Sequence, residues 1–167
     1  VADLEGMAKD AIAFTDHNKY NEGEKLDGIT IISGAEYNSA SGETVSGVYH
    51  ILGLFTDGDP KANGLVDTPQ EVIDKIHARG GIAVLAHPAW SLNTPEMMIA
   101  LKGIDATEIY NAVSECGQSF RPDSSILVDM LAGRGYIYPL LATDDAHYYN
   151  GADNCVGYIM AEAETSE

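Results

Sequence analysis

The chain has 167 residues, 45% of them hydrophobic and 17 of them glycine, and its nine Lys plus Arg face 26 Asp plus Glu for a formal charge of -17. That length suits a single domain (1–167) with a proper core, and so acidic a surface opposes nucleic-acid phosphates and anionic membranes, so neither is an expected partner. Two cysteines, Cys116 and Cys155, form no CxxC pair and no disulfide framework, no apolar run reaches membrane-spanning length, and the expected setting is reducing and cytoplasmic.

The opening residues are in helical rhythm, with Leu4, Met7, Ala8 and Ala11 on one face, and a start at Val1 raises the expectation of further sequence upstream. Apolar, strand-like runs then recur at Ala11 to Phe14, Thr30 to Ser33, Val48 to Leu54, Ile82 to Leu85, Ala106 to Tyr110, Ile137 to Leu141 and Val156 to Met160. Near-continuous apolar runs of this kind are what strands buried on both faces require, as in a parallel sheet covered by helices. Thr68, Pro69 and Glu71 read as an N-cap, a first-turn proline and a capping-box acid, opening a helix that Gly80 stops after Arg79. Thr94 and Pro95 open a second helix that Gly103 ends, and a third spans roughly Asp123 to Gly133. Between Tyr37 and Tyr49, Ser-Ala-Ser-Gly-Glu marks a hairpin. The rest alternates strand and helix, which predicts an α/β fold.

The strand-like runs end in a recurrent way. The first leads into Thr15, Asp16, His17; the second into Gly34, Ala35, Glu36; the third contains His50; the fourth leads into His87; the run before the last leads into Asp144, Asp145, Ala146, His147. Four of the five histidines therefore lie on or just after strands, several beside carboxylates. In a parallel α/β fold such ends converge on one face, where six ligands would meet: His17, Glu36, His50, His87, Asp145 and His147. Imidazoles and carboxylates suit zinc, manganese or iron, and a carboxylate can bridge two ions. Each histidine alone reads more readily as a hydrogen-bonded structural residue than as a ligand; the joint pattern favours a metal site. His77, inside the first helix, is the internal control. Asp145 is preferred to Asp144 because, two residues from His147, it can share that residue's face.

TDHN at Thr15 to Asn18, GAE at Gly34 to Glu36, HILGL at His50 to Leu54, AHP at Ala86 to Pro88 and DAH at Asp145 to His147 resemble, in order and spacing, the successive motifs of the polymerase and histidinol phosphatase (PHP) superfamily. AVLAHPAWS, EIYNA and LLATDDAHY resemble a bacterial branch of PHP-domain phosphoesterases. The resemblance implies a distorted (β/α)7 TIM-like barrel with two or three divalent metal ions at its C-terminal rim. It implies that Glu36 bridges two metals, that His50 and His87 complete one of those sites, that Asp145 binds the first metal, and that His17 with His147 holds a third. Asp16 would orient a ligand or a water. The family's opening Asp-x-His-x-His motif is absent here, so the resemblance implies a partial domain, truncated at its first strand and at its C-terminus.

The activity this implies is hydrolysis of a small phosphorylated molecule, such as a nucleotide or sugar phosphate, by a metal-bound hydroxide, with His17, His147 or a metal-bound water protonating the leaving oxygen. Two alternatives stand beside it: a degenerate PHP module with a scaffold or regulatory role, and an amidohydrolase-like C–N hydrolase. Arg121, in the loop after EIYNA, is the candidate for substrate phosphate, whereas Arg134 closes a helix and interacts with its dipole. Trp90 forms a wall or packs on a neighbouring loop, and Cys116 lacks a histidine partner in any nucleophile motif.

Overall fold

The structure is a computed structural model describing residues 11–26, 28–40, 48–115, 119–147 and 155–160. Its strands are β1 (Ala11–Ala13), β2 (Glu24–Leu26), β3 (Ile29–Ile32), β4 (Gly34–Ala40), β5 (Val48–Leu54), β6 (Ile82–Leu85), β7 (Ala106–Asn111) and β8 (Leu140–Thr143). The helices are α1 (Pro69–His77), α2 (Pro95–Ala100) and α3 (Ser125–Ala132), with a 3-10 turn at Val113–Glu115.

The two proline-started helices form where local chemistry dictates. In α1 the Glu71 N–H donates to Thr68 Oγ1 (3.3 Å) and the Thr68 N–H donates to Glu71 Oε2 (2.8 Å), a closed capping box. Val72, Ile73 and Ile76 then fall on one buried face. That face presses on β5 at Gly53, where a Cβ would lie 2.9 Å from Ile76 Cγ1. Thr94 caps α2 similarly, accepting from the Met97 N–H. Ser124, ahead of α3, does not cap; its Oγ accepts the Ala89 N–H (3.2 Å) and so ties α3 to the loop after β6.

Five strands form one sheet in the order β4-β5-β6-β7-β8, and three form another in the order β1-β3-β2. The pairs β4–β5, β5–β6 and β2–β3 are antiparallel; β6–β7, β7–β8 and β1–β3 are parallel. This corrects the expected (β/α)7 TIM-like barrel. Among the described residues the large sheet does not close, since β8 pairs with β7 alone and β4 meets the smaller sheet through two isolated bridges, His17↔Glu36 and Asn21↔Gly34. Apolar runs reveal burial but not direction, and the β4–β5 hairpin and the return through α1 reverse the chain twice where a barrel needs parallel crossovers.

Alternation divides the large sheet between two faces. Ala35, Tyr37, Tyr49, Ile51, Ala83 and Leu85 face α1 and α2 in the main core. Leu52, Val84, Ala86 and Ala106 form a smaller cluster on the opposite face. Glu36, Asn38 and His50 share the second face, because Glu36 pairs with Leu52 and Asn38 with His50.

Smaller departures have local causes. Ser33 separates β3 from β4, so Glu36 lies inside a strand rather than after one. The strand expected at Ile137 to Leu141 starts instead at Leu140, past Pro139, which lacks a donor and whose carbonyl accepts the Thr107 N–H (3.0 Å). Val156 to Met160 is not a strand. The hairpin's turn, the helical rhythm of Leu4 to Ala8 and Cys116 lie outside the described residues. Among the described residues no helix is long and apolar enough to cross a membrane.

Candidate metal centre

The centre forms at the C-terminal ends of parallel β6, β7 and β8. His50 joins it because β5 runs the other way: its third residue lies beside the end of β6, where the Ala86 N–H donates to the His50 carbonyl (2.9 Å). Glu36 reaches it from β4, and His17 from the segment after β1, bridged to Glu36.

Glu36 is the hub, its side chain only 3% exposed. His50 Nδ1 donates to its Oε1, and the same oxygen lies 3.6 Å from both His17 Nδ1 and His87 Nε2. Burial alone would raise the Glu36 carboxyl, but the hydrogen bond from His50 and the proximity of His87 outweigh it and hold the group at about 2. Burial pulls the His87 imidazole down, while Glu36, Glu108 and Asp145 prevail and push it up. Asp145 is raised, first by burial and then by the Glu36 charge.

Two groups of ligand-type atoms result, His17 with Glu36 and His50, and Glu36 with His87 and Asp145, the atoms of each lying within 4.8 Å of one another. The residues fit a divalent cation. The donors are nitrogen and oxygen only, and the shared carboxylate is buried among three histidine nitrogens, with Asp145 in the second group. His87 Nδ1 lies 3.0 Å from Ser91 Oγ, which leaves Nε2 facing Glu36 and, at 4.0 Å, Asp145.

The remaining candidates sit around this hub. His147 is exposed, its ring 5.8 Å from that of His17, and its Nδ1 meets the Asp145 carbonyl oxygen (2.7 Å) and lies 3.7 Å from Asp145 Oδ1. His17 Nδ1 donates to Asn38 Oδ1 (2.8 Å). The Asp16 carboxylate lies 3.6 Å from Lys19 Nζ, whereas its carbonyl accepts the Glu36 N–H (3.3 Å), so its contact with the hub is through the backbone. Asp144 accepts the N–H groups of Cys155, Val156 and Gly157, each at 2.7 Å. His77 is remote from the cluster, paired with Asp105 (2.9 Å). Trp90 stands edge-on to His87 (5.1 Å) and His50 (5.6 Å). Arg121 Nη2 donates to the Trp90 carbonyl (3.1 Å) and lines an open cleft of about 410 Å³ beside Ala89, Leu92, Phe120 and Ser124.

Sequence reasoning missed the polar residues beneath the cluster. Glu108, Asn111, Ser91 and Asn38 all touch the ligand-type residues. The run EIYNA contained two of them, but neither drew a role, because a Glu and an Asn three apart on a strand carry no spacing signature of their own.

No protein-family model matches the chain. An uncharacterized protein of Methanocaldococcus jannaschii is 37% identical over 86 residues, 47% of this chain and 44% of that protein. A two-domain protein from Bacteroides vulgatus ATCC 8482, containing a predicted PHP-like metal-dependent phosphoesterase, superposes with a TM-score of 0.51 at 17% identity over 83% of this chain and 43% of its own. The chain thus spans under half the length of each of these two proteins, and the second likeness is one of fold alone.

Proposed function

We propose that this chain carries a metal-dependent phosphoesterase centre of the PHP type, acting on a small phosphorylated molecule. The observation that supports it most is Glu36, a single buried carboxylate shared by two ligand groups. Bound divalent ions, of the zinc, manganese or iron class, would polarise phosphoryl oxygens and acidify water at neutral pH. Glu36 holds the shared position, with His50 and His87 on its flanks and Asp145 closing the second group. His17 and His147, the exposed histidines of the cluster, are the proton donors for the leaving oxygen. Asp16 fixes the Glu36 backbone, and Arg121 takes the substrate's remaining negative charge at the edge of the cleft.

The test is metal analysis of protein purified without chelator, beside His87→Ala, followed by assay of the loaded protein against phosphomonoesters, phosphodiesters and cyclic amides. Metal in the parent, its loss in the variant and turnover of a phosphoester are expected. A variant that keeps all its metal overturns the ligand set. Turnover confined to cyclic amides replaces the phosphoesterase reading with C–N hydrolysis.

A further inference from the structure

We propose that Glu108 is a positioning residue for one half of the cluster: it holds His87 and Asp145 in ligating geometry and leaves the His17, Glu36 and His50 half untouched. The proposal rests on reading the cluster as a metal centre.

β7 lies between β6 and β8 and is the strand adjacent to both of the ends that carry these two ligands. Glu108 projects from it and is 2% exposed. Its Oε2 accepts the His87 backbone N–H (2.7 Å) and Asn111 Nδ2 (2.9 Å), and its Oε1 accepts Thr143 Oγ1 (2.7 Å). Both oxygens are therefore engaged by donors, which separates Glu108 from the ligands themselves. Asn111 carries the connection onward, because the same Nδ2 donates to Asp145 Oδ2 (3.1 Å). Its amide cannot turn over: Oδ1 already accepts the Ser114 N–H (3.1 Å) and Ser114 Oγ (2.7 Å), so the NH2 must face the two carboxylates.

The backbone shows why such a hub is needed. His87 (φ 28°) and Asp145 (φ 50°) both have positive φ without being glycine, a conformation that persists only where the surroundings enforce it. Glu108 grips the first turn directly through the His87 N–H. It grips the second through Thr143, two residues before Asp145, and through Asn111. The other ligand group has different supports, Asn38 on His17 and the Asp16 carbonyl on the Glu36 N–H, and among the described residues no hydrogen bond joins it to the Glu108 carboxylate.

Calorimetric titration with Zn2+ or Mn2+, with the thermal midpoint of each apo protein measured alongside, tests this on wild type, Glu108→Ala and Glu108→Gln. Wild type should take up two equivalents. Glu108→Ala should keep one near wild-type affinity and bind the other about 10–100-fold more weakly. Glu108→Gln should recover both, since its Oε1 can accept from His87 and Asn111 while its Nε2 donates to the rotatable Thr143 hydroxyl. Should Glu108→Ala not fold, Thr143→Val removes a single bond to the hub and should weaken the same equivalent alone. A folded Glu108→Ala, or Thr143→Val in its place, that titrates like wild type, or weakens both equivalents alike, overturns the proposal and leaves the metal centre standing. Wild type that takes up no cation overturns the metal centre and this proposal together.

Discussion

His17 and Glu36 pair as an isolated parallel bridge where the small sheet meets the free edge of β4, with the Asn18 N–H donating to the Glu36 carbonyl (2.6 Å). Their side chains approach to 3.6 Å at the same place. The junction between the two sheets and the metal cluster are one locus, so an ion held there also joins the sheets.

Removing the ion should therefore loosen the junction before the core. A cation at 100 times its dissociation constant stabilises the folded state by about 2.7 kcal/mol. Chelation should lower the thermal midpoint accordingly, and the Asn18 and Glu36 amides should exchange hydrogen faster while Val84 and Leu85 stay protected. Uniform exchange across all four would break the connection between site and junction.

Trp90 is the chain's single tryptophan and stands 5.1 Å from the His87 ring, so its fluorescence should report the site. Mn2+ should quench it saturably in wild type and more weakly in His87→Ala. Quenching that is linear and equal in both proteins would mean collision from solution.

Gly64 lies against β4 so closely that a Cβ would fall 2.4 Å from the Asn38 carbonyl oxygen, and its N–H donates to Asn18 Oδ1 (2.9 Å). Backbone cannot give way as a side-chain tip can. Gly64→Ala should cost about 1–3 kcal/mol in chemical denaturation, against roughly 0.5 kcal/mol or less for its exposed neighbour in Leu65→Ala. Equal effects would mean that the loop does not brace the strand.

Asp67 provides the pH test away from the candidate site. Its Oδ2 accepts Lys75 Nζ (2.6 Å) and the Asn63 N–H (2.8 Å), and the hydrogen bond from Lys75 is the main reason its carboxyl is lowered. A depressed carboxyl stabilises the fold above its unfolded value and loses that contribution as pH falls through the folded one. The stability gap between wild type and Asp67→Asn, about 1–3 kcal/mol at neutral pH, should be constant from pH 7 to pH 5 and shrink below about pH 4. A gap that widens on acidification would reverse the assignment.

What could be read from the sequence was whatever depends on near neighbours. Thr68, Pro69 and Glu71 specify the start of α1 within four residues, and Val48 to Leu54 is apolar enough to be β5 in any fold. His17, Glu36, His50, His87 and Asp145 could be grouped because each lies on or just after an apolar run, and strand ends of one sheet bring distant side chains together. Strand direction was not legible. It is set by how α1 returns the chain across β5, a property of the connection and not of the strands. β2 escaped notice because Glu-Lys-Leu has no apolar run, and Glu108 and Asn111 because their role exists only once β7 lies between two partners. Val156 to Met160 is apolar, yet among the described residues no strand pairs with it.

The alternation along β4 sets Tyr37 into the helical core and Glu36 into the cluster on the opposite face. A slip of one residue against β5 would exchange them, burying a carboxylate under α1 and turning an aromatic ring toward the histidines. Such a hairpin could be compact and nearly fully hydrogen-bonded, yet it would have no hub for a cation. Cation uptake would then act as a proofreader of strand register, with the ion selecting the correctly paired chain from its nearest misfolded relative.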